Sequence, residues 1–431
     1  MQSLFKSLFA NGFSYLFIGN VFTHIATFAS HLIIAWLLTP EDLGRVKAVQ
    51  SFIDVFIVFS TFGIPYSVLK IISEDVCNDH KRKVIYAGLF SLIGVSVVVL
   101  LSAQVIASIG WFSNDELINR YAKIYAFAII PQTFVLYFFS LFQAKQKFKQ
   151  LSIIQVFSKV ISIPVVVLST YYFGVKGFFY SMIFSLILNA LFLLRKSNIT
   201  LLWSQYFLRS TKDLKTLFQS EKRLFRFSSI SFVSQLISKI TITFSFLYSN
   251  YLVVDRFEFG QYGFALTIVQ ALQIVISTAQ QYLVPQLSFL SNKPTKYKKF
   301  LLKSMIKFYP LFLCIAFIAI VIYPMFIKTF LPGYIDSVVF FRLLMIGWLI
   351  NSTYSFQGIA TSTLGFFNYN LITNSIKISL IFITTIFLVS TFGMKGAAYT
   401  NIVVGLIGII LYNFAFYKAF IKNRQKIEPN D

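Results

Sequence analysis

Acidic residues are scarce in this chain, with 15 Asp and Glu against 38 Lys and Arg in 431 residues. Charge of either sign is also scarce, at 12% where ordinary soluble domains carry about 25%, and this excludes a soluble globule. The two cysteines, Cys77 and Cys314, lie far apart, so neither a disulfide framework nor a cysteine-based metal or redox site is encoded. There is no His-Glu-x-x-His, no phosphate-binding Gly-Lys-Ser/Thr loop and no nucleophile elbow. The outward loops between apolar runs are short, 110–119 and 328–337 among them, and leave little room for a catalytic segment. These absences argue against an enzyme and imply neither a metal nor a cofactor.

What the chain has instead is apolar length, with 57% hydrophobic and 18% aromatic residues. Windows of about twenty apolar residues recur at 14–38, 46–69, 84–109, 121–143, 151–172, 175–194, 227–254, 263–290, 304–327, 338–361, 370–392 and 396–417. They predict an all-α polytopic membrane protein with twelve transmembrane helices. The first window is too long for a cleaved signal segment and no small-residue cleavage site follows it, so it reads as a retained span. In such a chain the net charge of +23 is a topology signal and calls for no nucleic-acid partner. With the amino terminus in the cytoplasm, Lys70, Lys81 to Lys83, Lys145 to Lys149, Arg195 to Arg226, Lys293 to Lys307 and Lys418 to Lys426 fall on one side. The opposite side keeps only scattered cations such as Arg45, Arg120 and Lys328, so both termini are expected in the cytoplasm.

The two halves of the sequence resemble each other. Tyr172-Phe173-Gly174-Val175-Lys176-Gly177 returns as Thr391-Phe392-Gly393-Met394-Lys395-Gly396, and Leu37 to Gly44 parallels Val253 to Gly260 in nearly the same register. This predicts an amino-terminal lobe over 1–194 (spans one to six), a basic cytoplasmic interlobe linker over 195–226, a carboxy-terminal lobe over 227–417 (spans seven to twelve) and a basic cytoplasmic tail over 418–431. Six spans per half make the repeat parallel, with its pseudo-twofold axis along the membrane normal.

The candidate site begins with Lys239, near the middle of the seventh span. On a helix Ser231, Ser234, Ser238 and Thr241 recur at steps of three and four, with Gln235 and Lys239 on the flank, so one stripe of this span is polar. Hydroxyl stripes can simply bond neighbouring helices, but a charge at that depth must be wet or paired. Lys239 therefore lines a hydrated cavity or belongs to a buried ion pair. Asn20, His24, Thr27 and His31 give the first span a second polar face, on which the histidines either handle protons or are ordinary satisfied core residues. Gln270, Gln273, Ser277 and Gln280 give the eighth span a third. Asp54, on the second span, is the one acid inside any window. It is either a counter-ion for Lys239 or another buried base, or a carboxylate coupling transport to a proton or sodium gradient. Lys159 and Lys377 on the fifth and eleventh spans and Arg342 on the tenth make the balance cationic, which suits an anionic substrate group such as phosphate.

Two halves of six spans, a first helix running into Leu37-Leu38-Thr39-Pro40-Glu41-Asp42-Leu43-Gly44, and a second closing on Phe62-Gly63-Ile64-Pro65 resemble the polysaccharide flippases of the multidrug/oligosaccharidyl-lipid/polysaccharide (MOP) exporter superfamily. The second copy of the turn departs from the pattern by lacking the proline. The resemblance implies a MATE-like fold in the bacterial inner membrane and alternating-access translocation of an undecaprenyl-diphosphate-linked oligosaccharide, such as an O-antigen repeat unit. It implies membrane lipids as surroundings and admits the polysaccharide polymerase and chain-length machinery as partners. A multidrug antiporter of the same superfamily is the alternative, and would favour acidic cavity groups. A membrane glycosyltransferase or polymerase is the alternative from another class, and would need a larger outward loop.

Overall fold

The computed structural model describes residues 13–73, 78–197, 222–252 and 255–427. The interlobe linker expected at 195–226 lies largely outside the described residues, as do the last four positions of the tail. Among the described residues every regular element is helical: α1 Phe13–Leu37, α2 Pro40–Thr61, α3 Ile64–Ser73, α4 Asn78–Ile109, α5 Glu116–Tyr125, α6 Ile129–Ala144, α7 Phe148–Ser197, α8 Lys222–Leu252, α9 Arg256–Leu290, α10 Pro294–Phe330, α11 Ser337–Thr363, α12 Phe367–Phe392 and α13 Met394–Ile427, with single 3₁₀ turns at Ala126–Ala128 and Pro332–Tyr334. Among the described residues eight helices are long and apolar enough to cross a membrane, or up to ten when two bent pairs each count as one span. Part of the distance from the twelve windows read in the sequence lies in α7, whose 50 residues are two helices, holding 151–172 and 175–194, on either side of a break at Gly174. The protein is an all-α, multi-pass membrane protein.

Breaks fall where the sequence places glycine. Gly174 divides α7 at φ 58 and ψ −141, and Gly393 separates α12 from α13 at φ 57 and ψ −138. This backbone region is essentially closed to residues with a Cβ. In both places the next glycine lets the following arm turn back closely: a Cβ on Gly177 would stand 2.0 Å from the Ser169 carbonyl oxygen, and one on Gly396 would stand 2.0 Å from that of Leu388. Between α2 and α3, Phe62 and Gly63 both take positive φ, 44 and 69, and the axis bends by 45°. Pro65 follows in the first turn of α3, where its missing N–H has no partner to lose.

The chain divides into two compact units, Met1–Leu38 with Ala48–Lys239, and Thr39–Lys47 with Ile240–Asp431. In the first, Ile64, Val68, Ile71 and Ile72 put one stripe of α3 against Val84 and Leu92 of α4 and Tyr137, Phe138 and Leu141 of α6. The buried phenol of Tyr137 is satisfied by the Ile85 carbonyl at 2.6 Å. Lipid is as apolar as these side chains, so dispersion and internal hydrogen bonds hold such a core together, with little help from the hydrophobic effect. In the second unit, the first turns of α2 and α9 meet backbone to backbone: a Cβ on Gly260 would lie 1.8 Å from the Pro40 carbonyl oxygen, and one on Gly44 would lie 3.0 Å from the Gly260 nitrogen. Both turns are capped from the preceding polar residue. Thr39 Oγ1 accepts from Asp42 N at 3.3 Å, and Asp255 Oδ1 accepts from Phe257 N at 2.9 Å and Glu258 N at 3.3 Å.

Candidate functional site

Within the first unit α2 and the first part of α8 run antiparallel. Gly63 allows the close approach, since a Cβ there would be 2.3 Å from the Ser228 carbonyl oxygen. The Phe232 ring then stacks on Phe62 at 4.8 Å and meets Phe59 edge-on at 5.4 Å. Farther along the same pair of helices Lys239 Nζ donates to Asp54 Oδ2 at 2.6 Å. The side chains keep 25% of their accessible surface on Lys239 and 46% on Asp54, so this charge-assisted bond is strong but open to competitors. Tyr125 lies close enough to feel the Asp54 charge, and Phe52 and Phe56 pack on Phe112 beside it. Three residues beyond Lys239, α8 bends by 52° between its Arg223–Thr241 and Thr243–Leu252 arms. No proline or glycine is present there. The segment is rich in hydroxyls, and Ser238 Oγ bonds back to the Ser234 carbonyl at 2.9 Å, a pattern that bends helices.

The pairing of Asp54 with Lys239 is one of the two arrangements the sequence left open. The other expected residues are placed as follows. On α8, Ser231, Gln235 and Thr241 are half-buried and Ser234 is exposed, with Gln235 Nε2 donating to the Ser231 carbonyl at 3.3 Å. On α1, Thr27 Oγ1 turns back to the Thr23 carbonyl at 2.6 Å and His31 is half-buried, while the side chains of Asn20 and His24 lie outside the described residues. On α9, Gln270 and Gln273 are exposed, Ser277 bonds its own helix at Ile274, and Gln280 Nε2 reaches the Ser355 carbonyl of α11 at 3.5 Å. Arg342 is exposed in the second turn of α11.

Lys159 and Lys377 are half-buried, and among the described residues no carboxylate comes within ion-pairing distance of either. The surroundings of Lys377 were not expected. Tyr354 and Asn351 of α11, Asn374 of α12 and Tyr412 of α13 gather around it through hydrogen bonds and ring stacking. The signal was present as a four-and-three spacing, Asn370–Asn374–Lys377, on one face of α12.

A helical bundle that holds the Asp54–Lys239 ion pair, and lysines with no carboxylate beside them among the described residues, has the charge pattern expected of a membrane transporter. Residues 9–291 match the family described as Polysaccharide biosynthesis protein, and the chain belongs to that family. Among solved structures it is similar to an inward-facing multidrug resistance MATE family transporter of the MOP superfamily, at 14% identity over 94% of this chain and 95% of that one, with a TM-score of 0.71. It is also similar to the lipid II flippase MurJ in an inward closed conformation, at 14% identity over 95% and 89%, with a TM-score of 0.75. A third likeness, to the Vibrio cholerae MATE transporter VcmN in its bent form, covers 99% of both chains at 14% identity with a TM-score of 0.56. No match is found among curated proteins. At these identities the structural likenesses speak for the fold. What this chain shares with the MATE transporters and with MurJ is therefore their helical membrane fold.

Proposed function

We propose that the protein flips an undecaprenyl-diphosphate-linked oligosaccharide, an O-antigen repeat unit, across the bacterial inner membrane by alternating access, with both termini in the cytoplasm and the two sequence halves acting as duplicated lobes of six spans each. The observation that carries this reading is the sign of the charge left inside the helices: Lys159 and Lys377 have no carboxylate within ion-pairing distance among the described residues, and Lys239 is paired with a partly exposed Asp54. A membrane protein keeps such charge where a ligand meets it. A diphosphate offers Lys239 more negative charge than Asp54 does, so cargo displaces the carboxylate from the ammonium. The released Asp54 then takes up a proton or a sodium ion and gives it back when cargo leaves and Lys239 returns, which couples transport to the ion gradient. The polar stripes of α1 and of the first arm of α8 supply neutral hydrogen bonds to the saccharide. A multidrug antiporter shares the fold, but a cationic drug would be repelled by this balance. The polysaccharide polymerase and chain-length machinery would receive the product.

The test is deletion of the gene in its host. Surface polysaccharide should disappear and the lipid-linked repeat unit should accumulate on the cytoplasmic leaflet. Unchanged surface polysaccharide together with increased drug sensitivity would replace this reading with the antiporter.

A further inference from the structure

Acids are missing from most of the second unit: Asp336 is the one Asp or Glu between Phe259 and Ile427, and it stands beyond the far end of α10. At the near end the start of α10 carries Lys296, Lys299, Lys303 and Lys307 at steps of three and four, and the last turns of α13 carry Lys418, Lys422 and Lys426 at steps of four. Each step sets like charges side by side on one helix face, which destabilises the helix. Among the described residues no carboxylate lies within ion-pairing distance of any of them.

The rows sit at the edge of the bilayer. Residues 308–327 of α10 and 396–417 of α13 hold no charge, each run long enough to fill the roughly 30 Å of hydrocarbon, and Lys307 and Lys418 stand where those runs end. Long side chains lean toward the amino terminus of their helix. Helix α10 enters the hydrocarbon from this end and α13 leaves it here, so Lys303 and Lys307 lean outward while Lys418 and Lys422 lean back. The rows therefore converge on the depth of lipid headgroups. Lys418 shows the lean directly, with Nζ 4.5 Å from the centroid of the exposed Phe414 ring one turn deeper. Asn423 Nδ2 ties the last turns of α13 to the Ser291 carbonyl, at 2.9 Å, in the turn that leads into α10.

Next to its lysine row α10 exposes Leu302, Ile306, Leu313 and Phe317, and α13 exposes Ile410 and Phe414 next to Lys418. A topology signal needs only more cations on one side of the membrane. It does not need them continued down a helix face beside an apolar row. A partner that uses both rows has a negatively charged head and apolar chains, and lies in the plane of the membrane. We propose that the lysine rows of α10 and α13 form a docking surface for an anionic phospholipid of the leaflet at this end, its phosphate on the lysines and its acyl chains along the exposed apolar residues. The bound phosphate offsets the repulsion within the rows. The surface faces lipid and is separate from any cargo path.

The test is native mass spectrometry of the purified full chain in detergent, titrated with dioleoyl phosphatidylglycerol or dioleoyl phosphatidylcholine. Phosphatidylglycerol should bind at least about tenfold more tightly, since each lysine near an anionic headgroup is worth about fivefold. Glutamine at Lys303, Lys307, Lys418 and Lys422 together should abolish the preference, whereas arginine at the same four positions should keep it. Lys328→Gln with Lys395→Gln, at the opposite end of the same helices, should leave it unchanged. Thermal unfolding checks that each variant is folded. Should the fourfold glutamine variant not fold, Lys303→Gln with Lys307→Gln stands in and should cut the preference at least about fivefold. An excess of glycerol phosphate, which has the phosphate without the acyl chains, should not displace the lipid. Equal binding of the two lipids overturns the proposal, as does an unchanged preference in a folded glutamine variant or an equal loss in the Lys328 and Lys395 control. Displacement by glycerol phosphate overturns it in favour of a soluble anion. No arm measures transport, so the result and that of the gene deletion are independent.

Discussion

At the scale of single residues, the partial exposure of the Asp54–Lys239 pair sets how its removal should read. Breaking a fully buried pair costs about 3–5 kcal/mol. With 46% of the Asp54 side chain accessible, Lys239→Ala should lower stability by only about 1 kcal/mol, because water screens the stranded carboxylate. Membrane abundance of Lys239→Ala should fall modestly, and adding Asp54→Asn should restore it. Export should fail in Lys239→Ala and survive in part in Lys239→Arg, which keeps the charge. Full export by a stably inserted Lys239→Ala protein, measured as surface polysaccharide, would remove Lys239 from cargo binding. Asp54→Asn alone tests coupling: the protein should insert normally but lose gradient-driven export in proteoliposomes, and normal gradient dependence would leave Asp54 a purely structural role. The sequence made these two residues visible because an acid and a base stand out against apolar windows. It could not choose between a wet lysine and a paired one, since their meeting depends on how α2 and α8 cross at Gly63. The aromatic and amide cage of Lys377 was less visible still, because Tyr and Asn in a membrane helix carry no charge to single them out.

At the scale of elements, three glycines, Gly174, Gly260 and Gly393, define how the helices break and cross. Gly393 stands in a conformation that costs other residues about 1–3 kcal/mol, and its Cβ would meet little, so Gly393→Ala should lower the thermal unfolding midpoint through backbone strain alone. Gly174→Ala should do the same by a similar amount, given the near-identical angles. At Gly260 the mechanism is different. A Cβ would collide with the Pro40 carbonyl, so Gly260→Leu should cost more than Gly260→Ala, whereas at Gly393 the two should differ little. Equal penalties for Ala and Leu at Gly260 in detergent-solubilised protein would contradict the close crossing of α2 and α9. The Phe-Gly-x-Lys-Gly repeats were legible as turns from glycine spacing alone.

At the scale of the whole molecule, the charge asymmetry gives a topology that reporters can read. Fusions after Lys149, Lys299 and Lys426 should register in the cytoplasm and those after Asn114 and Gly333 outside. A cytoplasmic signal after Gly333 would rule out twelve spans. The division into compact units has its own consequence. Helix α2 contributes its first turns, through Lys47, to one unit and the remainder to the other, while α8 contributes its residues up to Lys239 to the first unit and those from Ile240 onward to the second. Each unit is therefore finished by a piece of chain drawn from the opposite half of the sequence. A gene split between residues 198 and 221 would yield two polypeptides, each deprived of a piece that its own compact unit needs. Expressed singly they should be degraded, and expressed together they should rescue one another. For the same reason, neither half can be exchanged for that of a distant relative unless the borrowed turns around Gly44 and the borrowed helix around Lys239 travel with it.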